Sequence, residues 1–424
     1  MEASDVPLRT GGQSPPAEPA RPEAGSRRDT AVLWCTNALD GLGSQASGLV
    51  LPLLLLDLGH GPGTAGGFAG VCALAGVLLG PLVAVPADRG HRRALMTGTA
   101  VPAALAMAGL ALACLGPGRP PLWLLLGLAL VERLCSTAYE AAARGTLSRL
   151  ASEHDLPRAV AGLQAGDHAA LVLGPALGGA LFGIARFLPF AADAVTYAVT
   201  ALGTRAIRTP LDTPEGPPPR AFTGDLRSGL AVVLRSPVLR LVLCWSSVAS
   251  GVLGLLFYTA VFVLGGDSGS TVTGGVLAAS GGAGLAGSLV AARVVRRLGA
   301  HRALTAATWL LLPPCAALAV AEGPWVWALC FSVMCALLPV VTVVLGTAAV
   351  LAAPREAQAR AGAVLAAGSA VSAAAAPLCA ALLVDRGGGR AAALGAGAVL
   401  AVLALHTRLR ARAVLRPAGS GGRP

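Results

Sequence analysis

Hydrophobic and polar positions alternate along this chain in whole segments rather than residue by residue. Apolar runs of about 20 residues, the length that a helix needs to cross a bilayer, are separated by short connections rich in arginine. Only a helix satisfies its own backbone hydrogen bonds in lipid, so each run predicts a membrane-spanning helix. Twelve spans are predicted, at residues 32–57, 66–87, 94–116, 121–143, 160–184, 188–207, 239–264, 272–294, 302–321, 324–351, 361–384 and 390–407.

A single long hydrophilic connection divides the spans six and six, which predicts an all-α membrane protein built from two six-helix bundles. Its proline-rich stretch PEGPPPR is typical of a flexible hinge. The predicted domains are a disordered tail (1–29), a first bundle (30–207), a linker (208–238), a second bundle (239–407) and a second tail (408–424).

The segment after the hinge has an amphipathic helical pattern. Leu226, Leu230, Val233 and Leu234 share one stripe, whereas Arg227 lies elsewhere on the helix. The pattern fits an interfacial helix in the linker, and it fits an extension of the seventh span equally well.

The arginines determine the predicted orientation. With the N-terminus in the cytoplasm, Arg119, Arg186, Arg386 and Arg390 fall outside, Arg133 falls within a span, and every other arginine falls inside. We therefore expect a multi-pass protein of the cell membrane with both termini cytoplasmic. We expect it to be a monomer in the lipid bilayer.

Composition excludes several other classes of protein. The chain is 55% hydrophobic and 12% charged, which is far from the composition of a soluble domain. All 32 basic residues are arginine, so a P-loop lysine or a Schiff-base lysine is excluded. Aromatic residues make up only 4%, too few to predict a nucleic-acid binder. No nucleophile and base pair, metal-ligand spacing or cofactor motif is found, so we expect no enzyme, no metal and no cofactor.

Ionisable residues inside spans are the candidates for function, because a charge at the middle of a membrane helix is costly and normally faces a cavity or a partner. The candidates for proton coupling or for the substrate cavity are Asp40, Glu132, Arg133, Asp167 and His168. Structural pairing is the alternative for each.

Two further aspartates are interpreted differently. Asp57 and Asp193 lie near the predicted outer ends of spans, where helix capping and hydration explain them.

The connection after the second span carries a recognisable motif. Its sequence AVPADRGHRR, which begins at Ala84, resembles the major facilitator signature G-x-L-A-D-R-x-G-R-R. The resemblance implies a cytoplasmic gate made by Asp88, Arg89, Arg92 and Arg93. Ordinary positive-inside decoration is the alternative.

Residues 296–302 keep the shape of this motif at the equivalent place in the second half. Arg296 stands there where the aspartate would be. The trace of a repeat predicts that the two bundles are pseudo-symmetric, as in the major facilitator fold.

The fifth span contains Gly174, Pro175, Gly178 and Gly179 in the order Gly-Pro-x-x-Gly-Gly, which resembles the antiporter motif of exporters in this superfamily. Proline removes a backbone hydrogen bond and glycine admits a neighbouring helix, so a helix bend and a close contact are expected together. A packing notch without any meaning for transport direction is the alternative.

Three more stretches, LPLLLLDL, HDLPRAVAGLQ and PFAADAVTYAVTAL, resemble the drug:proton antiporter branch that includes enterobactin exporters and macrolide efflux proteins. This resemblance implies proton-coupled efflux of a small amphiphilic molecule such as a drug, an antibiotic or a siderophore. Uptake or facilitated transport of a metabolite, and a non-transporting receptor or scaffold on the same fold, are the alternatives.

Overall fold

The computed structural model describes residues 24–88, 90–116, 118–150, 156–212, 222–267, 269–354 and 357–414. Helices make up most of these ranges. They are α1 (Ala24–Asp57), α2 (Pro62–Asp88), α3 (Arg92–Leu115), α4 (Leu122–Leu150), α5 (Leu156–Ile184), α6 (Leu188–Ala206), α7 (Phe222–Arg235), α8 (Pro237–Asp267), α9 (Ser270–Leu298), α10 (Ala300–Leu310), α11 (Leu312–Val320), α12 (Pro324–Ala352) and α13 (Gln358–Val414).

The helices account for the predicted spans. In the described residues, 10 helices are long and apolar enough to cross a membrane, with α10 and α11 forming one of them. Within α13 the backbone leaves helical geometry at Gly387 and Gly388, so its two arms cross separately; Gly388 has a φ of 63°, which glycine adopts without strain. The shorter α6 completes twelve, which confirms the predicted all-α membrane fold.

Many large apolar side chains on these helices face outward. Leu289, Val320 and Leu351 are each more than four-fifths exposed, at 82%, 83% and 81%. A soluble domain rarely leaves so much apolar surface uncovered, whereas lipid covers it in a membrane protein.

Both predicted tails are partly helical. The helix α1 begins at Ala24, within the tail predicted at 1–29, and α13 continues to Val414, within the tail predicted at 408–424. The first turns of α1 are held because the carboxylate of Asp29 accepts hydrogen bonds from the backbone N–H groups of Arg208 (3.0 Å) and Thr209 (2.8 Å). The tail residues 1–23 and 415–424 lie outside the described residues.

The linker contains a separate helix, α7, which ends at Arg235 before α8 begins at Pro237. It packs on the first arm of α13: a Cβ at Gly229 would lie 2.5 Å from the carbonyl oxygen of Arg360. On the predicted apolar stripe Val233 is buried, whereas Leu230 and Leu234 are 41% and 52% exposed. The PEGPPPR hinge lies within 213–221, outside the described residues.

The bundle has two ends, which we call the linker side and the far side. The linker side carries α7, the start of α1 and the end of α13; the far side carries the end of α1 and the start of α2. Helices α1–α6 meet helices α8–α13 closely in the far half. A Cβ at Gly66 would lie 2.5 Å from the carbonyl oxygen of Pro377, and Gly265 lies against Leu53.

Candidate functional site

Two adjoining cavities occupy the middle of the bundle. The first, the central cavity, has a volume of about 290 Å³ and is lined by residues of α1, α4, α5 and α8. The second, the side cavity, has a volume of about 380 Å³ and reaches α2 and the first arm of α13. Ser44, Gly48, Arg133 and Tyr258 line both cavities, so the two are continuous.

The central cavity extends toward the linker side. Its wall on α4 includes Glu140 and Arg144, and its wall on α5 includes Leu163 and Asp167, all in the linker half of their helices. The two sets of helices contact each other in the far half, which closes the cavity on that side. The exposed pair of Glu140 and Arg144 on its wall places the opening of the central cavity toward the linker side.

Asp40 is a buried carboxyl group on the wall of the central cavity. Its residue is 3% exposed, and its Oδ1 has no hydrogen-bond partner among the described residues. A charge in such a position normally requires a partner or water, so this group is a place where a proton or a cationic ligand group can bind.

Glu132 is held by a short chain of hydroxyl groups. The Oη of Tyr197 donates to its Oε1 at 2.6 Å, and the Oγ of Ser44 lies 2.9 Å from the same Oη. A tyrosine hydroxyl has only one proton, so Ser44 is the donor in the second bond whenever Tyr197 donates to Glu132. The chain joins α1, α4 and α6.

Asp193 is fully buried on α6, which contradicts its interpretation as a capped and hydrated group at an outer end. Its Oδ1 accepts a hydrogen bond from Thr196 (3.1 Å), and its Oδ2 has no partner among the described residues. Gly43 makes room for it, because a Cβ at position 43 would overlap this carboxylate. The prediction failed because α6 packs inward along this face. Asp57, by contrast, is exposed and forms an ion pair with Arg186 at the far side.

Arg133 points away from its neighbour Glu132, as adjacent positions on a helix require. It is exposed to both cavities, and a Cβ at Gly76 of α2 would lie 2.8 Å from its Nε. No described carboxylate lies within ion-pair distance of its guanidinium group, so this cation is available to a ligand.

Asp167 lies on the α5 wall of the central cavity, where its Oδ1 accepts a hydrogen bond from Asn37 of α1 at 2.9 Å. Glu140 and Arg144, one turn apart on α4, form an exposed ion pair at 3.0 Å. The side chain of His168, the remaining candidate, lies outside the described residues.

The Gly-Pro-x-x-Gly-Gly segment of α5 lies where three helices cross. A Cβ at Gly178 would lie 2.6 Å from the carbonyl oxygen of Ala46 on α1, and one at Gly179 would lie 2.5 Å from that of Ser270 on α9. The Cα of Gly274 faces Gly179 at 3.0 Å from the same position. These glycines therefore close the far half of the contact between α5 and α9.

The described part of the predicted gate holds helices of the first half together. The guanidinium group of Arg93 donates to the carbonyl oxygens of Ile207 (2.6 Å) and Thr209 (2.8 Å), just after α6 ends. Arg92 packs over Gly145 of α4. The side chain of Asp88 and all of Arg89 lie outside the described residues.

The sequence matches the model of the Major Facilitator Superfamily over residues 33–351. The chain belongs to this superfamily. It is therefore a multi-pass membrane transporter of the major facilitator type, a class of proteins that carry small molecules. No curated protein matches the sequence.

Solved structures share the fold. A bacterial homolog of the human lysosomal transporter Spinster superposes with a TM-score of 0.70 at 13% identity, covering 93% of this chain and 100% of that one. A bacterial homologue of the iron transporter ferroportin gives 0.70 at 15%, with 91% and 99% covered. A POT family transporter in complex with 5-aminolevulinic acid gives 0.71 at 13%, with 92% and 97% covered. The TM-scores of 0.70–0.71 over more than nine-tenths of each chain establish a common fold.

The structure places four of the five predicted cavity residues, Asp40, Glu132, Arg133 and Asp167, on the walls of the connected cavities. Sequence reasoning missed Ser44, Tyr197 and the pair formed by Glu140 and Arg144, and it misinterpreted Asp193. Helical spacing offered a signal for two of them, because Ser44 lies one turn beyond Asp40 and Glu140 lies two turns beyond Arg133. Tyr197 and Asp193 depend on how α6 is rotated, which no local pattern indicates.

Proposed function

We propose that this transporter exports a small amphiphilic molecule in exchange for protons. The observation that supports this most strongly is the buried carboxyl of Asp40 on the cavity wall, whose Oδ1 has no hydrogen-bond donor among the described residues. Glu132 and Asp193 place two more buried carboxyl groups in the same half.

The linker side is proposed to be the cytoplasmic side of a cell membrane, with both termini there. Arginines on the described parts of the linker side, such as Arg240, Arg297 and Arg410, support this orientation by the positive-inside rule. The opening of the central cavity on the linker side then faces the cytoplasm.

Residues 30–207 and 239–407 are proposed to rock against each other as two domains joined by the linker 208–238. The glycine contacts between α5 and α9 close the outer side in this state, and they must separate when the cavity opens outward. Gly174 and Pro175 are proposed to let α5 bend during this movement, and Asp88, Arg89, Arg92 and Arg93 are proposed to stabilise the inner end when it closes.

Coupling requires that the two states bind a proton with different affinity, because a ligand shifts an equilibrium only through such a difference. In our proposal, Asp40 provides this difference in proton affinity. Its carboxyl group is buried beside the cavity in the state described, and rocking of α1 would change its exposure to water. Glu132 and Asp167 are further candidates, as is His168 next to Asp167.

The side chains on the cavity walls suit an amphiphilic substrate such as a drug, an antibiotic or a siderophore. Phe257 and Tyr258 offer aromatic surface, and Asp40 and Asp167 offer carboxylates. Arg133 offers a cation that no carboxylate pairs with in the described part of the chain. We propose that the protein works as a monomer, since each chain contains a complete cavity.

The test uses protein reconstituted in proteoliposomes, with a panel of dyes and antibiotics and an imposed pH gradient. Transport that releases protons when solute is added, and that stops with an uncoupler, supports antiport. Gradient-independent flux would instead favour a facilitator, and unaltered transport after neutralising Asp40, Glu132 and Asp167 together would contradict the proposed coupling. The Asp57→Asn variant is the matched control, because Asp57 lies at the far side outside both cavities.

A further inference from the structure

An apolar groove lies on the outer surface between α8 and the second arm of α13. Its volume is about 390 Å³, and it is separate from the two central cavities. The residues that line it are Cys244, Val248, Ala398, Val399, Val402, Leu403 and His406.

The groove has the length of one leaflet. Cys244 and Val248 follow the start of α8 at Pro237, and His406 and Val399 precede the end of α13, so the groove lies toward the linker side. At 1.5 Å of rise per residue, the wall that α13 contributes from Ala398 to His406 is about 12 Å long, close to half of a hydrocarbon core of about 30 Å.

Two exposed arginines stand at the linker-side end of the groove. Arg240 is one helical turn before Cys244 on the same face of α8, and Arg410 is one turn after His406 on the same face of α13. The flanks of α13 are apolar there, since Val402 is 70% and Leu409 is 68% exposed. The surface thus combines an apolar channel at membrane depth with two cations at its interfacial end.

We propose that this groove binds an anionic phospholipid of the leaflet on the linker side. One acyl chain would lie against Val248, Val399 and Val402, and the phosphate would lie between Arg240 and Arg410. Charge complementarity selects this occupant: a zwitterionic lipid carries its own cation beside the phosphate, and basic pockets between membrane helices on the cytoplasmic side favour anionic headgroups. An occupant here would bridge the seventh and twelfth spans.

The test measures lipid retained by the purified full-length protein. Protein is equilibrated with equimolar phosphatidylglycerol and phosphatidylcholine of identical acyl chains, and bound lipid is quantified by native mass spectrometry. We expect phosphatidylglycerol to predominate. In the double variant Arg240→Gln, Arg410→Gln its retention should fall by about tenfold or more, because each arginine near a membrane surface contributes about 1 kcal/mol.

Matched variants distinguish lipid binding in this groove from a general effect of positive surface charge. Arg296→Gln, Arg297→Gln removes the same charge from the end of α9, which packs on α12 and α5, and should leave retention unchanged. Val399→Trp should fill the groove and release the lipid with both arginines intact, whereas Val199→Trp, at another outward-facing position, should not. Soluble glycerol phosphate should not displace the lipid.

Equal retention of the two lipids would overturn the proposal. So would equal losses in the two double-arginine variants, or phosphatidylglycerol that persists in Val399→Trp. None of these outcomes depends on transport activity, so the result is distinguishable from failure of the proposed antiport.

Discussion

The hydroxyl group of Tyr197 donates a hydrogen bond to Glu132 at 2.6 Å, and both residues are buried inside the membrane-spanning bundle. The bond links α6 to α4, and Ser44 extends it to α1. A buried carboxyl group thus has its position fixed by two other helices. Any movement of α1 relative to α4 and α6 must change these hydrogen bonds.

Replacing Tyr197 with phenylalanine should therefore destabilise the protein. A buried polar group left without its partner costs about 1–3 kcal/mol, and the buried Glu132 loses its hydroxyl donor. The measurement is thermal unfolding in detergent of Tyr197→Phe, Glu132→Gln and the double variant. We expect non-additive effects with a coupling of about 0.5–3 kcal/mol. Strict additivity would show that the hydrogen bond contributes nothing.

A second prediction concerns the glycine contact between α5 and α9. Gly179→Ala places a methyl group where 2.5 Å separates it from the carbonyl oxygen of Ser270, so the far half of the contact must open. Gly275→Ala on α9 is the control, because nothing lies within 4 Å of a Cβ at that position.

Spin labels at Trp123 and Trp325, both exposed at far-side helix ends in opposite halves, would report the change in a cysteine-free background. Gly179→Ala should shift the distance distribution to longer values, whereas Gly275→Ala should match the parent protein. An unchanged distribution in Gly179→Ala would mean that this contact does not hold the far side closed.

Substitution of Arg93 tests whether this residue of the predicted gate also stabilises the fold. Arg93→Ala leaves the carbonyl oxygens of Ile207 and Thr209 without their donor, so we expect unfolding to become easier by about 1–3 kcal/mol. Arg297→Ala, at the corresponding connection of the second half, should have little effect because its side chain is exposed.

Thermal unfolding gives the stability change, and transport per folded molecule separates the two roles. A structural role alone predicts normal transport by the folded fraction of Arg93→Ala. Loss of transport without loss of stability would contradict a stabilising role for the hydrogen bonds from Arg93 to Ile207 and Thr209, and would favour the gate.

The fold could be predicted from the sequence because span length, apolar composition and arginine placement are local signals with a strong physical cause. The exceptions have physical reasons. Residues 24–29 belong to α1, where the Asp29 carboxylate binds the backbone after α6. The last helix, α13, continues past residue 407 to Val414, because a helix need not end where its apolar run ends.

The candidate site was only partly predictable. Asp40, Glu132, Arg133 and Asp167 stand out because a charge within a span is rare, and that rule does not require knowledge of the packing. Asp193 was misinterpreted, and Tyr197 was missed, since both depend on the rotation of α6 against α1 and α4. The room for Asp193 comes from the absent side chain of Gly43, a long-range relationship that sequence order does not reveal.

The proposed coupling of transport to protons through Asp40 is tested by comparing two modes of transport by Asp40→Asn in proteoliposomes. We predict that solute exchange at equal pH on both sides continues, because the cavity remains, whereas uphill transport driven by a pH gradient is lost. Asp57→Asn should retain both modes. Gradient-driven transport by Asp40→Asn at the level of the parent protein would contradict proton coupling through Asp40.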